Sequence, residues 1–103
     1  HGARQLDSLP APITQLPRIR KAVGKRFPLI FDTGVRNGED VVKAYASGAD
    51  FVMLGRPVLY ALGADGERGL KTIMNYISKE IQVTLAQIGL SKISDVNETN
   101  LIR

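Results

Sequence analysis

The stretch KRFPLIFDTGVRNGEDVVKAYASGADFVMLGRP, residues Lys25 to Pro57, decides the fold. It holds two short apolar runs, Phe27-Pro28-Leu29-Ile30-Phe31 and Phe51-Val52-Met53-Leu54, and neither alternates with polar residues. Strands apolar at every position read as covered on both faces, the habit of parallel sheets. Pro28 is tolerable near the start of such a strand. Between the runs, Val41, Val42, Ala44, Tyr45 and Ala46 predict a helix over about 39–47, closed by Gly48. Strand, helix and strand in this order make a βαβ unit with a right-handed crossover.

Working outward, Gly2, Ser8, Pro10 and Pro12 mark residues 1–12 as loop. Thr14 is placed to cap a helix over about 14–23. Leu16, Ile19 and Val23 form its apolar stripe, Arg18, Arg20 and Lys21 its wet side, and Gly24 its end. Downstream, Val58–Leu62 reads as a short apolar helix or turn, interrupted by Gly63 and Asp65-Gly66. A long amphipathic helix follows over about 67–89, with Leu70, Ile73, Met74, Ile77, Ile81, Leu85 and Ile88 on one face. Residues 91–103 are polar, with one turn expected near 94–97. Two parallel strands are not stable alone. The expectation is therefore a portion of a larger sheet or barrel, or an oligomer that supplies the missing strands.

Composition narrows the class. The 103 residues contain no Cys, which excludes a disulfide-stapled domain and a Cys-ligated metal protein. No apolar run approaches the roughly 20 residues of a membrane span. A hydrophobic share of 44% fits one ordinary globular unit. The net charge of +4 favours anionic partners without saying which.

Three segments carry candidate chemistry. His1-Gly2-Ala3-Arg4-Gln5-Leu6-Asp7 holds the only histidine, a residue suited to general-base work, and Arg4, whose planar fork suits a carboxylate. A surface His and Arg near a terminus is the plainer alternative. Asp32-Thr33-Gly34-Val35-Arg36-Asn37-Gly38 and Gly55-Arg56-Pro57 each follow one of the two apolar runs directly. The carboxyl edge of parallel strands is where α/β proteins bind ligands. Glycine exposes backbone N–H groups and arginine adds charge-assisted bonds, so two such loops side by side fit a phosphate. Two ordinary turns with solvated arginines would look the same from spacing alone. The basic cluster Arg18–Lys21 with Lys25-Arg26 lacks the aromatic interleaving of nucleic-acid motifs and reads as a solvated face.

Taken in order, these motifs resemble the C-terminal part of the FMN-dependent α-hydroxy acid dehydrogenases and oxidases, the family of glycolate oxidase, L-lactate oxidase and flavin-type L-lactate dehydrogenase. The resemblance runs from His1 to at least Leu90. The His-Gly-Ala-Arg-Gln-Leu-Asp run is its most specific element. The Asp-x-Gly-Val-Arg and Leu-Gly-Arg-Pro loops occur in other flavin and nucleotide barrels too. It implies an α/β fold, the C-terminal part of a (β/α)8 TIM barrel: the last two βα units plus the C-terminal helix. On that reading residues 1–103 are a C-terminal fragment of a single barrel domain. Phe27–Phe31 would be the seventh strand, Phe51–Leu54 the eighth, and helix 67–89 the last of the barrel.

The resemblance also implies FMN as cofactor and oxidation of a small L-2-hydroxy acid, lactate or glycolate, to the 2-keto acid. His1 would be the catalytic base, taking its proton either from the α-carbon or from the hydroxyl, and Arg4 would bind the substrate carboxylate. Asp32, Thr33, Gly34, Val35 and Arg36 would surround the ribityl chain and phosphate of FMN, with Gly55 and Arg56 as the second phosphate-binding pair. It assigns no metal ligand. Thr33 stands where many members have Gly, and Asn37 where Arg is usual. The lysine, tyrosines, aspartate and second arginine of the family site are upstream residues. A complementary N-terminal chain, a homotetramer, no nucleic acid, and a cytoplasmic or membrane-associated location are the further expectations. The alternatives are another FMN- or phosphate-binding barrel and a non-catalytic basic binding module.

Overall fold

The computed structural model describes residues 5–101. Helix α1 spans Pro12–Val23, β1 Ile30–Asp32, α2 Gly38–Ala46, β2 Phe51–Met53 and α3 Arg56–Gln87, followed by single 3-10 turns at Ile93–Asp95 and Glu98–Asn100. The two strands pair in parallel, with Ile30 opposite Phe51, Phe31 opposite Val52 and Asp32 opposite Met53. The order is the expected alternation of strands and helices. Several boundaries move.

Helix α1 begins at Pro12, not at a Thr14 cap. Pro12 occupies the first turn, where its fixed φ favours the helix and its missing N–H costs nothing. The Thr14 hydroxyl instead donates to the Ala11 carbonyl at 2.7 Å. The first strand is shorter than Phe27–Phe31. Phe27 and Pro28 stay outside the ladder, and pairing starts where the Asp50 and Phe51 N–H groups both donate to the Leu29 carbonyl. The second strand ends at Met53 rather than Leu54. Helix α3 takes in the expected short helix and long helix together. Asp65 and Gly66, the latter at φ 53°, break its geometry at the place where Asp-Gly marks an interruption.

The strands are covered on one face only, contrary to the expectation of two. Phe31 is buried among Leu16, Val35, Val41, Ala44, Ala49 and Ile77, with Val52 packed against that cluster. The opposite face shows Ile30 and Phe51, each 62% exposed, and Met53 at 54%. A second cluster, Val42, Ala46, Leu85 and Val96, joins α2 to α3 and to the 3-10 turn before Val96. Of the expected α3 stripe, Ile77 and Leu85 are buried, while Met74 and Ile88 are exposed. Ile88 lies past the last helical residue.

Arg20 does not sit on the wet side of α1. Its side chain is 17% exposed and turns inward beneath the sheet. Nε donates to the Gly48 carbonyl at 2.8 Å, Nη1 to the carbonyls of Gly24 and Phe27 at 2.8 and 2.7 Å, and Nη2 to Asp50 Oδ2 at 2.5 Å. The same Asp50 oxygen accepts from the Leu29 N–H at 2.7 Å. Gly48 has φ 107°, and a Cβ there would meet the Arg20 side chain at 2.9 Å, so both backbone and space require glycine. One guanidinium therefore joins the end of α1, the lead-in to β1 and the turn from α2 into β2. This is the amino end of the strands, where parallel barrels invest in stability.

Arg20→Ala leaves these acceptors without their charged donor. Bonds of this kind are worth about 1.5–3 kcal/mol each and do not add fully. A loss of about 2–4 kcal/mol is expected, read from urea midpoints of the full-length protein. Arg20→Lys should restore little, since one ammonium does not reproduce the fork. The Leu29 N–H, and next to it Arg20, hold the Asp50 carboxyl below its ordinary value of 3.8. A depressed carboxylate stabilises the fold above the unfolded-state value, and the contribution disappears as pH falls through the folded one. Acid titration of Tm should thus show a component below about pH 4 that Asp50→Asn removes. A wild-type acid limb unchanged in Asp50→Asn would refute it.

Candidate functional site

The register places the carboxyl ends of β1 and β2 side by side, so the loops after Asp32 and after Met53 leave the sheet at the same edge. Adjacent strands lie about 4.8 Å apart, which brings the two Gly/Arg segments within reach of one small anion. Of the residues expected at a site, Asp32, Thr33, Gly34, Val35, Arg36, Gly55 and Arg56 are gathered here. His1 and Arg4 lie outside the described residues.

In the first loop, Asp32 is the half-buried last residue of β1. Thr33 has φ 147° and Gly34 φ 74°. The first of these is a region that glycine enters without cost and a β-branched residue enters only under strain. The departure noted at Thr33 therefore carries a backbone cost, its hydroxyl standing at a position whose backbone favours Gly. Val35 drops its side chain into the core at 5% exposure, so only its backbone is left for a ligand. Arg36 is exposed, and its N–H donates to Asp40 Oδ2 at 2.9 Å. The buried Val35 and this bond hold Arg36 from both sides.

The second loop differs in kind. Gly55 is the N-cap of α3, with no side chain capping the helix. Its φ is −101°, outside the left-handed region, and a Cβ would meet nothing within 4 Å. Its ψ of −93° lies outside the regions that residues with a side chain favour, so the backbone itself prefers glycine here, and the open space around it leaves that backbone approachable from outside the chain. Arg56 is the first helical residue and is exposed, and Pro57 follows it. The ion pairs among the described residues engage Arg20, Lys43, Arg68 and Lys71, and neither Arg36 nor Arg56.

The two helix starts are thus unequal. At α2, side chains occupy the amide groups. Asn37 Oδ1 accepts from the Asp40 N–H at 2.8 Å, Asp40 from the Arg36 N–H, and Glu80 Oε2 from the Gly38 N–H at 2.8 Å. At α3 no side chain caps the start and no acidic residue lies in the first turn, so the positive end of the helix dipole is unopposed, although Pro57 has no N–H and the Val58 and Leu59 N–H groups turn back to the Gly55 carbonyl. Of the two helix starts, that of α3, with the exposed Arg56 as its first residue, is the more favourable for an anion. Sequence reasoning missed Asp40 and Glu80. The spacing Asn37-x-x-Asp40 is a helix-start signature and was available locally. Glu80 comes from a distant helix and leaves no local signal.

The profile described as FMN-dependent dehydrogenase matches residues 1–103. The chain belongs to that family. It is 46% identical over 101 residues to a peroxisomal (S)-2-hydroxyacid oxidase of Arabidopsis thaliana, covering 98% of this chain and 28% of the relative. It is 42% identical over 102 residues to an L-lactate oxidase of Lentilactobacillus hilgardii, covering 99% and 28%. A soluble mutant of the membrane-associated (S)-mandelate dehydrogenase from Pseudomonas putida superposes with a TM-score of 0.87 at 40% identity, over 97% of this chain and 28% of that one. The chain therefore spans little more than a quarter of the length of these relatives. Its fold is the C-terminal part of the (β/α)8 barrel, with β1-α2 and β2-α3 as two βα units. Among the described residues no helix is long and apolar enough to cross a membrane.

The residues present suit the phosphate end of FMN. They offer a helix start that no side chain caps, a glycine open to close approach and two exposed arginines, a set that suits a dianion.

Proposed function

We propose that this chain carries the flavin-phosphate site and the substrate base of an enzyme that oxidises a small L-2-hydroxy acid, of lactate or glycolate type, to the 2-keto acid with FMN. The observation that carries the reading is the pair of adjacent Gly/Arg loops with the α3 start left uncapped. This edge, taken together with the family match, supports FMN over a bare phosphate. Gly55 and Arg56 hold the phosphate with Arg36. Asp32, Thr33, Gly34 and the Val35 backbone line the path of the ribityl chain. When bound, FMN supplies the two-electron acceptor. Arg4 pairs with the substrate carboxylate and orients it, and His1 accepts the proton released on oxidation. Residues 1–103 are on this reading the C-terminal part of one barrel domain, joined by preceding βα units of the same enzyme, in one chain or as a complementary N-terminal chain. The exposed Ile30, Phe51 and Met53 face supports such a complement. A homotetramer, a cytoplasmic or membrane-surface location and the absence of a nucleic-acid partner belong to the same proposal.

The test is anaerobic addition of L-lactate or glycolate to the full-length flavoprotein. Bleaching of the oxidised flavin band is expected. Bound FMN that no 2-hydroxy acid reduces would favour another FMN barrel. A colourless protein whose DNA affinity falls steeply with salt would favour the basic binding module.

A further inference from the structure

Glu80 lies on α3, far in sequence from either loop, yet its carboxylate accepts the Gly38 N–H at 2.8 Å. The approach is close. A Cβ on Gly38 would lie 2.5 Å from Glu80 Cβ and from the Ile81 nitrogen, and 2.7 Å from the Ile77 carbonyl oxygen. The start of α2 therefore rests on the backbone of α3 at Glu80, and only glycine fits between them. Two residues upstream is Arg36, whose own N–H is taken by Asp40. We propose that Glu80 is a positioning residue for the flavin-phosphate loop. It fixes where α2 begins, and so where Arg36 is presented. It also places a carboxylate on the amide end of α2, so that the phosphate goes to the α3 start. Asp40 does the same from within α2. The assignment rests on the phosphate reading of the two Gly/Arg loops, but Glu80 itself touches no flavin.

The experiment compares FMN with riboflavin, which lacks the phosphate, by quenching of flavin fluorescence on titration with the full-length apoprotein. The wild type is expected to prefer FMN. In Glu80→Ala the FMN affinity should fall about ten- to a hundredfold, the value of one misplaced charge-assisted contact, with riboflavin binding unchanged. Glu80→Gln keeps an acceptor for the Gly38 N–H and should recover most of the loss. A merely structural role would weaken both flavins alike. If Glu80→Ala does not fold, Glu80→Asp, whose shorter side chain withdraws the acceptor from the Gly38 N–H, gives the same readout. Equal loss of FMN and riboflavin, or an undiminished preference for FMN in the variant that folds, overturns the assignment while leaving the functional reading intact. A wild type with no preference for FMN overturns both.

Discussion

Arg56→Ala combined with Arg36→Ala is expected to cost about a hundredfold or more in FMN affinity. Each arginine that contacts a phosphate contributes a charge-assisted bond worth about 1.5–3 kcal/mol, or roughly ten- to a hundredfold. Both side chains are exposed and outside the described ion pairs, so removing them leaves no buried partner stranded. The unfolding midpoint of the apoprotein should hardly move, because surface substitutions usually stay within about 0.5 kcal/mol. The two single variants should each show part of the effect. Together they need not add, since they bind one group. Rising salt should weaken FMN binding in the wild type and much less in the double variant. Fluorescence titration with FMN and riboflavin measures all of this. Equal affinities of the double variant and the wild type for FMN would remove the phosphate from this edge.

His1→Gln should lower kcat by about a hundred- to ten-thousandfold, the range for a positioned general base. Glutamine keeps hydrogen-bonding capacity and loses the ability to take up a proton. FMN binding should be unaffected, because the phosphate contacts are assigned to other residues, Arg36, Gly55 and Arg56. Substrate binding should change little if Arg4 retains the carboxylate, so the loss should appear in kcat rather than KM. Stopped-flow reduction of the bound flavin by L-lactate isolates this step from reoxidation. A reduction rate within about threefold of wild type would assign the proton to another group, since a true base contributes far more than that.

Much of the architecture was legible locally. The apolar runs at Leu29–Phe31 and Phe51–Leu54, the glycines after each helix and the Gly/Arg segments after each strand are short-range patterns, and they ordered the βα units correctly. Boundaries shifted where one residue's backbone chemistry prevailed over the pattern. Pro12 opened α1 ahead of Thr14, and the Leu29 N–H that would have lengthened β1 went to the Asp50 carboxylate instead. The strands were expected to be covered twice because Ile30, Phe51 and Met53 are as apolar as Phe31 and Val52. Hydrophobicity says that a side chain will be covered, but not by which part of which chain. The candidate site divides in the same way. Gly34, Arg36, Gly55 and Arg56 are proposed from type and position. The difference between the two helix starts could not be read that way, because it depends on which acceptors arrive there.

By itself, then, the sequence determined the succession of strand, loop and helix, and it put a glycine and an arginine after each strand. Those are properties of neighbouring residues, set by backbone freedom and by apolar spacing. Only the tertiary structure decided that Arg20 turns inward to reach Gly48 and Asp50, 28 and 30 residues away, and that Glu80 reaches Gly38 across 42. It also decided that side chains take the amides at the start of α2 while none caps the start of α3. A hydrogen bond between distant segments requires only that the fold bring one donor and one acceptor together. It leaves no period and no motif in either segment, so an arginine among arginines and a glutamate on an amphipathic helix look like solvent-facing charges until the chain is folded.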